Sequence, residues 1–298
     1  MSGVKAIAPT ATQLEYLVAA LEHGSWTTAA EELHVSTSAF AQGIAELERR
    51  LDLRLFDKEG RCRVPTAEAE VAARHAIRVL GELGSLGRWA AQARSGEVGQ
   101  IRAGMIDTAA VHHFGDALVR FRTMHPDLAV RLTVLPSQQL HEQLRIGELD
   151  VVIAVAPADT DGLQTRELVA EPLYVYAPAG STIGAPPMWG PWVYFPADSR
   201  TRALVAEAMG TLGAPFDVVA ESSQPAVLRE MVRLGMGWTV LPTVDAEREP
   251  HALKRAVVEP VAERVLTLAR RSDRTPSTAL DRFIAMLVSE ATIRYREA

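Results

Sequence analysis

Apolar positions recur at spacings of three and four through the first 51 residues, in three separate sets. Leu14, Leu17, Val18 and Leu21 share one helical face, and Thr12 followed three positions later by Glu15 has the capping-box pattern, so a helix is predicted over about 12–22. His23-Gly24-Ser25 breaks that periodicity, and the stretch from Ser25 to Thr28 can cap a short second helix that turns Ala29, Ala30 and Leu33 inward. After Val35, Ser36 can cap a third helix carrying Phe40, Ile44, Leu47 and Leu51, with Thr37, Ser38, Ala41 and Gln42 on another face. Gly43 in mid-helix weakens it by about 1 kcal/mol against Ala unless close packing requires a glycine. The next segment, LRLFDKEGRCRV, places two short apolar runs around Glu59-Gly60 and reads as a hairpin bearing Lys58, Arg61 and Arg63.

From Thr66 to about Ser95 the helical pattern is uninterrupted, with Thr66 as its cap. At 1.5 Å per residue the helix is about 45 Å long. Val71, Ile77, Leu80, Leu83, Leu86 and Ala90 give it an apolar side that nothing adjacent in sequence can cover, so pairing with the same helix of a second subunit is expected. Gly81, Gly84 and Gly87 mark either close backbone approach or a bend, and a frayed linker is the alternative reading.

Past a connector at 96–99, strands and helices alternate: IRAGMI, a helix over about 110–124, VRLTVL, a helix over 138–146 capped by Ser137, and DVVIAV. A second such unit starts near Leu168 with LYVYAP, WVYF, a helix over about 201–212, FDVV, a helix over 225–234 and WTVLP. The strand VLTLAR and a last helix beginning near Pro276 complete the first unit if the chain crosses back near Val265. The alternation predicts parallel sheets with right-handed crossovers in two similar lobes, with any ligand at the carboxyl ends of the strands.

At 298 residues the chain exceeds a typical single domain, and 48% hydrophobic with 23% charged residues excludes wholesale disorder. No run of about 18 apolar residues and no signal-peptide pattern occurs, so the cytoplasm is expected and a membrane partner is not. The net charge of −6 argues against a uniformly basic surface, and residues 1–66 carry more acids than bases. Between Arg49 and Thr66, however, Arg49, Arg50, Arg54, Lys58, Arg61 and Arg63 outnumber Asp52, Asp57 and Glu59. Three short helices followed by a basic hairpin make a winged helix-turn-helix arrangement whose third helix enters a DNA major groove. A small helical interaction domain fits the same pattern.

The stretch LEYLVAALEHGSWTTAAEELHVSTSAFAQGIAELERRLDLRLFDKEGRCRVPTAE resembles the N-terminal domain of LysR-type transcriptional regulators, without a gap. Gly24, Ser25, Ala29, Ala30, Leu33, Ser36, Ile44, Leu47, Glu48, Leu51, Leu55, Phe56 and Thr66 occupy the family's pattern positions. The phrases GQIRAGMI, FRTMHPDLAVRLTV, LRIGELDVVIAV and VRLGMGWTVLP are similar to the effector domain of the same family, which resembles periplasmic binding proteins. The resemblance implies a multi-domain chain: an all-α winged helix-turn-helix domain (1–66), a linker dimerisation helix (67–95) and a two-lobed α/β effector-binding domain (96–298). Lobe I takes 98–167 and 266–298, and lobe II takes 168–265. It further implies double-stranded DNA, a small-molecule effector and a second or further copies of the chain, as dimer or tetramer, as partners.

Candidate DNA contacts are Ser25 and Thr27, Ser36, Thr37, Ser38, Ala41 and Gln42 on the third helix, and Arg49, Lys58, Arg61 and Arg63. Thr37 replaces a usual Gln, and Ala41-Gln42 replaces a usual Ser-Arg, so an unusual site preference or weaker binding is expected; Gln42 suits adenine. A small-molecule binding protein whose N-terminal domain serves assembly is the alternative.

The inferred cleft is lined by Asp107, Thr108 and Ala109, by Pro136, Ser137 and Gln138, by Asp198, Ser199, Arg200 and Thr201, and by Ser222, Ser223 and Gln224. Each group precedes a helix, so N–H groups and hydroxyls can converge on a small polar or anionic ligand, although Ser and Thr there are also ordinary caps. Arg200 and Arg202 can pair a carboxylate, whereas Asp107 disfavours an anion, which leaves the ligand's charge open. The sequence carries no GxSxG, P-loop, complete GxGxxG, HExxH or CxxC, so no enzyme, cofactor or metal is expected. His112-His113 reads as a packed or solvent-facing pair, and Asp159-Thr160-Asp161-Gly162 as a turn. Cys62 between Arg61 and Arg63 leaves a redox-sensitive wing as a further alternative.

Overall fold

The computed structural model describes residues 8–59, 62–95, 100–249, 252–273 and 277–296. The chain divides into two compact units, one built mainly of the first 95 residues and the other of most of the remainder.

In the first unit α1 (Ala11–His23), α2 (Trp26–Glu32) and α3 (Thr37–Leu51) precede the antiparallel pair β1 (Phe56–Glu59) and β2 (Cys62–Pro65), and α4 (Ala67–Ser95) follows. Leu17, Ala29, Ala30, Phe40, Ile44, Leu47, Leu55 and Phe56 close one core. The capping box is formed by Thr10 and Gln13, whose side chains each accept the other's backbone N–H, instead of by Thr12 and Glu15. Thr12 falls two residues too late, because the helix that buries Leu14 and Leu17 begins at Ala11. Gly43 packs against α1: a Cβ there would lie 2.3 Å from the Tyr16 ring, so the helix-weakening residue is what lets α1 and α3 approach.

Thr66 caps α4, its hydroxyl oxygen accepting from the Ala69 N–H at 3.2 Å. The face that α4 buries within this unit is Ala69, Ala73 and Ala76, while Val71, Leu83 and Leu86 are exposed. Of the apolar side expected to need a second subunit, Val71, Leu83 and Leu86 are indeed exposed, while Leu80 packs on the core beside the alanine face. A Cβ on Gly87 would meet nothing within 4 Å, so close packing in this chain does not explain that glycine.

The second unit is organised by a six-stranded sheet. Its strands are β3 (Gln100–Met105), β4 (Ala129–Val134), β5 (Val151–Val155), β6 (Leu163–Tyr176), β9 (Thr239–Pro242) and β10 (Ala262–Arg271), in the order β4-β3-β5-β10-β6-β9. β3 runs parallel to β4 and β5, as alternation with helices requires, but β10 is antiparallel to both β5 and β6, and β6 to β9. The two wholly parallel units expected from the sequence are thus corrected to one mixed sheet. A separate parallel pair joins β7 (Trp192–Tyr194) and β8 (Val218–Glu221).

Two cores sit along this sheet. The first gathers Ile101, Phe114, Phe121, Leu140, Val152 and Leu266 with Phe283 and Leu287 of α10 (Thr278–Arg296). The second gathers Leu173, Val175, Trp189, Trp192, Trp238, Val205 and Leu228. β6 and β10 pass from one core to the other, with a register irregularity between Leu266 and Thr267. Around the cores lie α5 (Gly115–Met124), α6 (Ser137–Arg145), α7 (Arg200–Thr211), α8 (Pro225–Arg233) and the short α9 (Thr243–Ala246). The helix expected over 110–124 is two pieces: a π-helical turn at Ala109–His113 ends at the buried Phe114 before α5 begins. Pro276, expected to open the last helix, lies outside the described residues.

Candidate functional sites

In the first unit Ser36 starts α3 by accepting the Ala39 N–H at 3.2 Å, which leaves Thr37, Ser38, Gln42 and Arg49 exposed and Ala41 half-buried along one side. Ser25 is the residue before α2 but its side chain makes no capping bond; it and Thr27 are exposed. Lys58 and Arg63 are exposed on paired strands, in direct register. Arg61 and the side chain of Cys62 lie outside the described residues.

The basic end is less free than the sequence count suggests. Arg49 grips Glu46 through Nε and Nη2 at 2.7 and 2.6 Å, and Arg50 donates to the same carboxylate at 2.8 Å. These two guanidinium groups hold the Glu46 carboxyl down at about 2. The three- and four-residue spacings in Glu46-Leu47-Glu48-Arg49-Arg50 are those of helix ion pairs, the signal that could have shown this. Arg63 lies over the Trp26 ring at 5.2 Å, and Trp26 in turn packs edge-on against Phe40 and Phe56. Glu48 fastens the hairpin to α3, its Oε1 accepting the N–H groups of Leu55 at 2.7 Å and Phe56 at 3.1 Å.

The second unit contains a cleft of about 440 Å³. It brings together eleven of the thirteen residues expected there: Asp107, Thr108, Pro136, Ser137, Gln138, Asp198, Ser199, Arg200, Thr201, Ser223 and Gln224. Ala109 is buried in the π-helical turn and Ser222 lies off the lining, its hydroxyl oxygen accepting the Gln224 N–H at 3.1 Å. Ser137 is the first residue of α6 and does not cap it; its hydroxyl oxygen accepts the Val155 N–H at 3.3 Å, tying α6 to β5. Ser199 does cap α7, accepting from the Arg202 N–H. Arg202 is held by the Phe195 carbonyl and by Glu221, whereas Arg200 is exposed with neither hydrogen bond nor ion pair among the described residues.

Sequence reasoning missed the floor. Arg264 lines the cleft although only 2% exposed, and its Nε donates to Glu171 Oε2 at 2.6 Å while Nη2 donates to Thr108 Oγ1 at 3.1 Å. The Thr108 hydroxyl donates to Asp245 Oδ2 at 2.7 Å, which in turn lies 3.6 Å from Arg264. The π-helical turn directs both histidines into this set: His112 lies 3.3 Å from Asp245 and His113 2.8 Å from Glu171. Burial alone would push the Glu171 carboxyl up, but Arg264 and His113 beside it hold it at about 2. Asp107 is half-buried, makes no hydrogen bond or ion pair among the described residues, and is raised by burial and by the charge of Asp245. The buried hydroxyl of Tyr194, within electrostatic reach of Arg264, has no hydrogen-bond partner among the described residues, and burial pushes it well up. No local spacing announces this network, because its members come from the 108–113 turn, β6, α9 and β10.

Among the described residues no group of three or more His, Cys, Asp or Glu side chains is placed to hold a metal ion, and no helix is long and apolar enough to cross a membrane.

The family model for the bacterial regulatory helix-turn-helix protein of the lysR family matches residues 11–70, and that for the LysR substrate binding domain matches residues 94–292. The chain belongs to the LysR family of transcriptional regulators. It is 29% identical over 280 residues, 90% of either chain, to the uncharacterized HTH-type transcriptional regulator YfeR of Shigella flexneri. It is 28% identical over 240 residues, 77% of either chain, to the nitrogen assimilation regulatory protein nac of Klebsiella aerogenes. Among solved structures, CbnR, a LysR family transcriptional regulator, aligns with a TM-score of 0.54 at 21% identity over 95% of this chain and 99% of that one. Full-length CbnR complexed with its target DNA aligns at 0.52 and 22% identity, covering 95% and 99%. LysR regulators couple a helix-turn-helix DNA-binding domain to an effector-binding domain, bind DNA and small-molecule effectors, and form oligomers.

Proposed function

We propose that this regulator reads DNA through the exposed side of α3 from Ser36 to Gln42, flanked by Ser25 and Thr27 and by the basic residues Arg49, Lys58, Arg61 and Arg63. We further propose that it responds to a small polar effector held in the cleft lined by Asp107, Pro136 to Gln138, Asp198 to Thr201, Ser223 and Gln224. The domain limits are those of the resemblance, with α4 pairing two subunits through Val71, Leu83 and Leu86. It acts in the cytoplasm by binding, without turnover.

One observation carries the effector reading: residues from both cores face one cleft over a buried, hydrogen-bonded floor that β6 and β10 share. A ligand closing this cleft shifts the population of lobe arrangements and with it the geometry of the DNA-binding domains. The test is fluorescence anisotropy of the full-length protein on DNA from upstream of its own gene, against a scrambled duplex, across salt concentrations. A preference of about a hundredfold with a strong salt slope is expected. Equal affinity for both duplexes at every salt concentration overturns DNA reading by α3. Gln138→Trp, which fills the cleft, is expected to abolish the effector response in cells while preserving operator binding; an unchanged response overturns the cleft assignment.

A further inference from the structure

The charges around the cleft are distributed unevenly. Arg264 is the guanidinium in its floor, and two buried carboxylates, Glu171 and Asp245, already answer it. Asp107 adds a third carboxylate that faces the cavity with no cation in hydrogen-bond range. The other nearby groups are committed elsewhere. His112 is on Asp245, with Arg248 on its far nitrogen; His113 is on Glu171; and Arg229 donates to the Asp245 main-chain carbonyl. The floor is electronegative at Asp107: burial and the charge of Asp245 push that carboxyl up, and His112, already on Asp245, offsets them only in part.

The walls have the opposite sign. The first turn of α6 enters from one core and that of α7 from the other, nine and twelve residues long, and both line the cavity. Their leading N–H groups lack intrahelical acceptors and carry about half a positive charge per helix. Arg200, without an ion pair, stands at the same wall. An anion alone would satisfy the walls and repel Asp107; a cation alone would do the reverse. A neutral ligand would leave the half-buried Asp107 carboxylate without a countercharge in the cleft.

We propose that the cleft binds a zwitterion, a small molecule with an α-amino-acid head, its ammonium against Asp107 and its carboxylate on the first turns of α6 and α7. This rests on the reading of the cleft as the effector site, and it adds the chemical class of the effector.

The test is calorimetric titration of the full-length protein with the common L-α-amino acids, the matched 2-hydroxy acids that replace the amine by hydroxyl, and the matched amines that lack the carboxylate. At least one amino acid binds, and each matched analogue binds about tenfold or more weakly, the loss expected for one charge-assisted contact. Asp107→Asn, isosteric and half-exposed, retains its melting temperature and DNA affinity, loses amino-acid binding by a similar factor, and tolerates the hydroxy acids better than the native protein does. Amino-acid affinity falls on acidification as Asp107 takes up its proton. Hydroxy acids that bind as tightly as amino acids and survive Asp107→Asn overturn the ammonium assignment, as does absence of binding across all three series. Gln138→Trp separates the two readings. Hydroxy-acid binding that this variant blocks keeps the cleft and removes only the zwitterion, while amino-acid binding that it leaves intact places the ligand elsewhere.

Discussion

Arg264 and Glu171 are direct cross-strand partners on β10 and β6, and the guanidinium Nε lies 2.6 Å from the carboxylate at the place where both strands pass between the two cores. At 2% and 4% exposure the pair is out of water. A buried pair of this kind adds little net stability against an apolar substitute, yet removing one member strands the other.

Glu171→Ala is therefore expected to destabilise the effector domain by about 3–5 kcal/mol, because it leaves Arg264 without its main counter-ion and His113 without an acceptor. The joint change of Glu171 and Arg264 to methionine should recover much of that. Urea unfolding followed by tryptophan fluorescence checks both, since Trp189, Trp192 and Trp238 report on the second core.

The same carboxylate sets an acid limit. Glu171 is held at about 2 in the folded chain against 4.5 as an ordinary glutamate, so its folded value is depressed. Its contribution is complete above about 4.5 and is lost as pH falls from there toward 2, an effect of about 3 kcal/mol. Stability measured across that window should fall more steeply for the native protein than for Glu171→Gln, and identical slopes would remove this group from the acid response.

Gly43→Ala should destabilise the DNA-binding domain by about 1–3 kcal/mol although alanine favours helices by about 1 kcal/mol, because its Cβ meets the Tyr16 ring at 2.3 Å. Combining it with Tyr16→Ala should restore part of the loss. Additive losses in the double variant would show that the clash is not the cause.

Glu46→Gln should strengthen DNA binding on every sequence and steepen the salt dependence by up to about one unit, because it releases Arg49, while Arg50 stays tied to the Ala8 carbonyl. Gln42→Ala should instead change preference among sequences with little change in slope. Anisotropy titrations on two unrelated duplexes distinguish the two effects.

Leu83→Glu with Leu86→Glu should lower the oligomeric state, since both side chains are exposed on α4 in the single chain. Sedimentation velocity reads the outcome, and an unchanged assembly would place the subunit contact on another face.

Much of the framework is written in periodicity. Leu17, Phe40, Ile44 and Leu47 declare their helices because one face is buried and the other wet. β6 was legible only from LYVYAP onward, because Arg166, Glu167 and Glu171 interrupt its earlier half where the strand leaves the first core. The cleft walls were legible because helix starts favour small polar residues, but the floor was not. Arg264 and Glu171 are 93 positions apart and Thr108 and Asp245 137 apart, so their pairing depends on topology and on no local pattern. The two histidines are packed, as one of the expected readings had it, but their carboxylates lie on α9 and β6, too far along the chain for a local pattern to show.

The passage of β6 and β10 between the cores has a consequence for how the molecule is made. The second core closes within one continuous stretch, from Leu173 to Ala262, whereas the first needs Ile101 through Val169 and then Leu266, Phe283 and Leu287 from the far end of the chain. During vectorial synthesis the later-starting core can be complete while the earlier one still waits for its last strand and helix inside the ribosome. A nascent chain released short of α10 should therefore carry one finished lobe and one open, apolar, chaperone-dependent one.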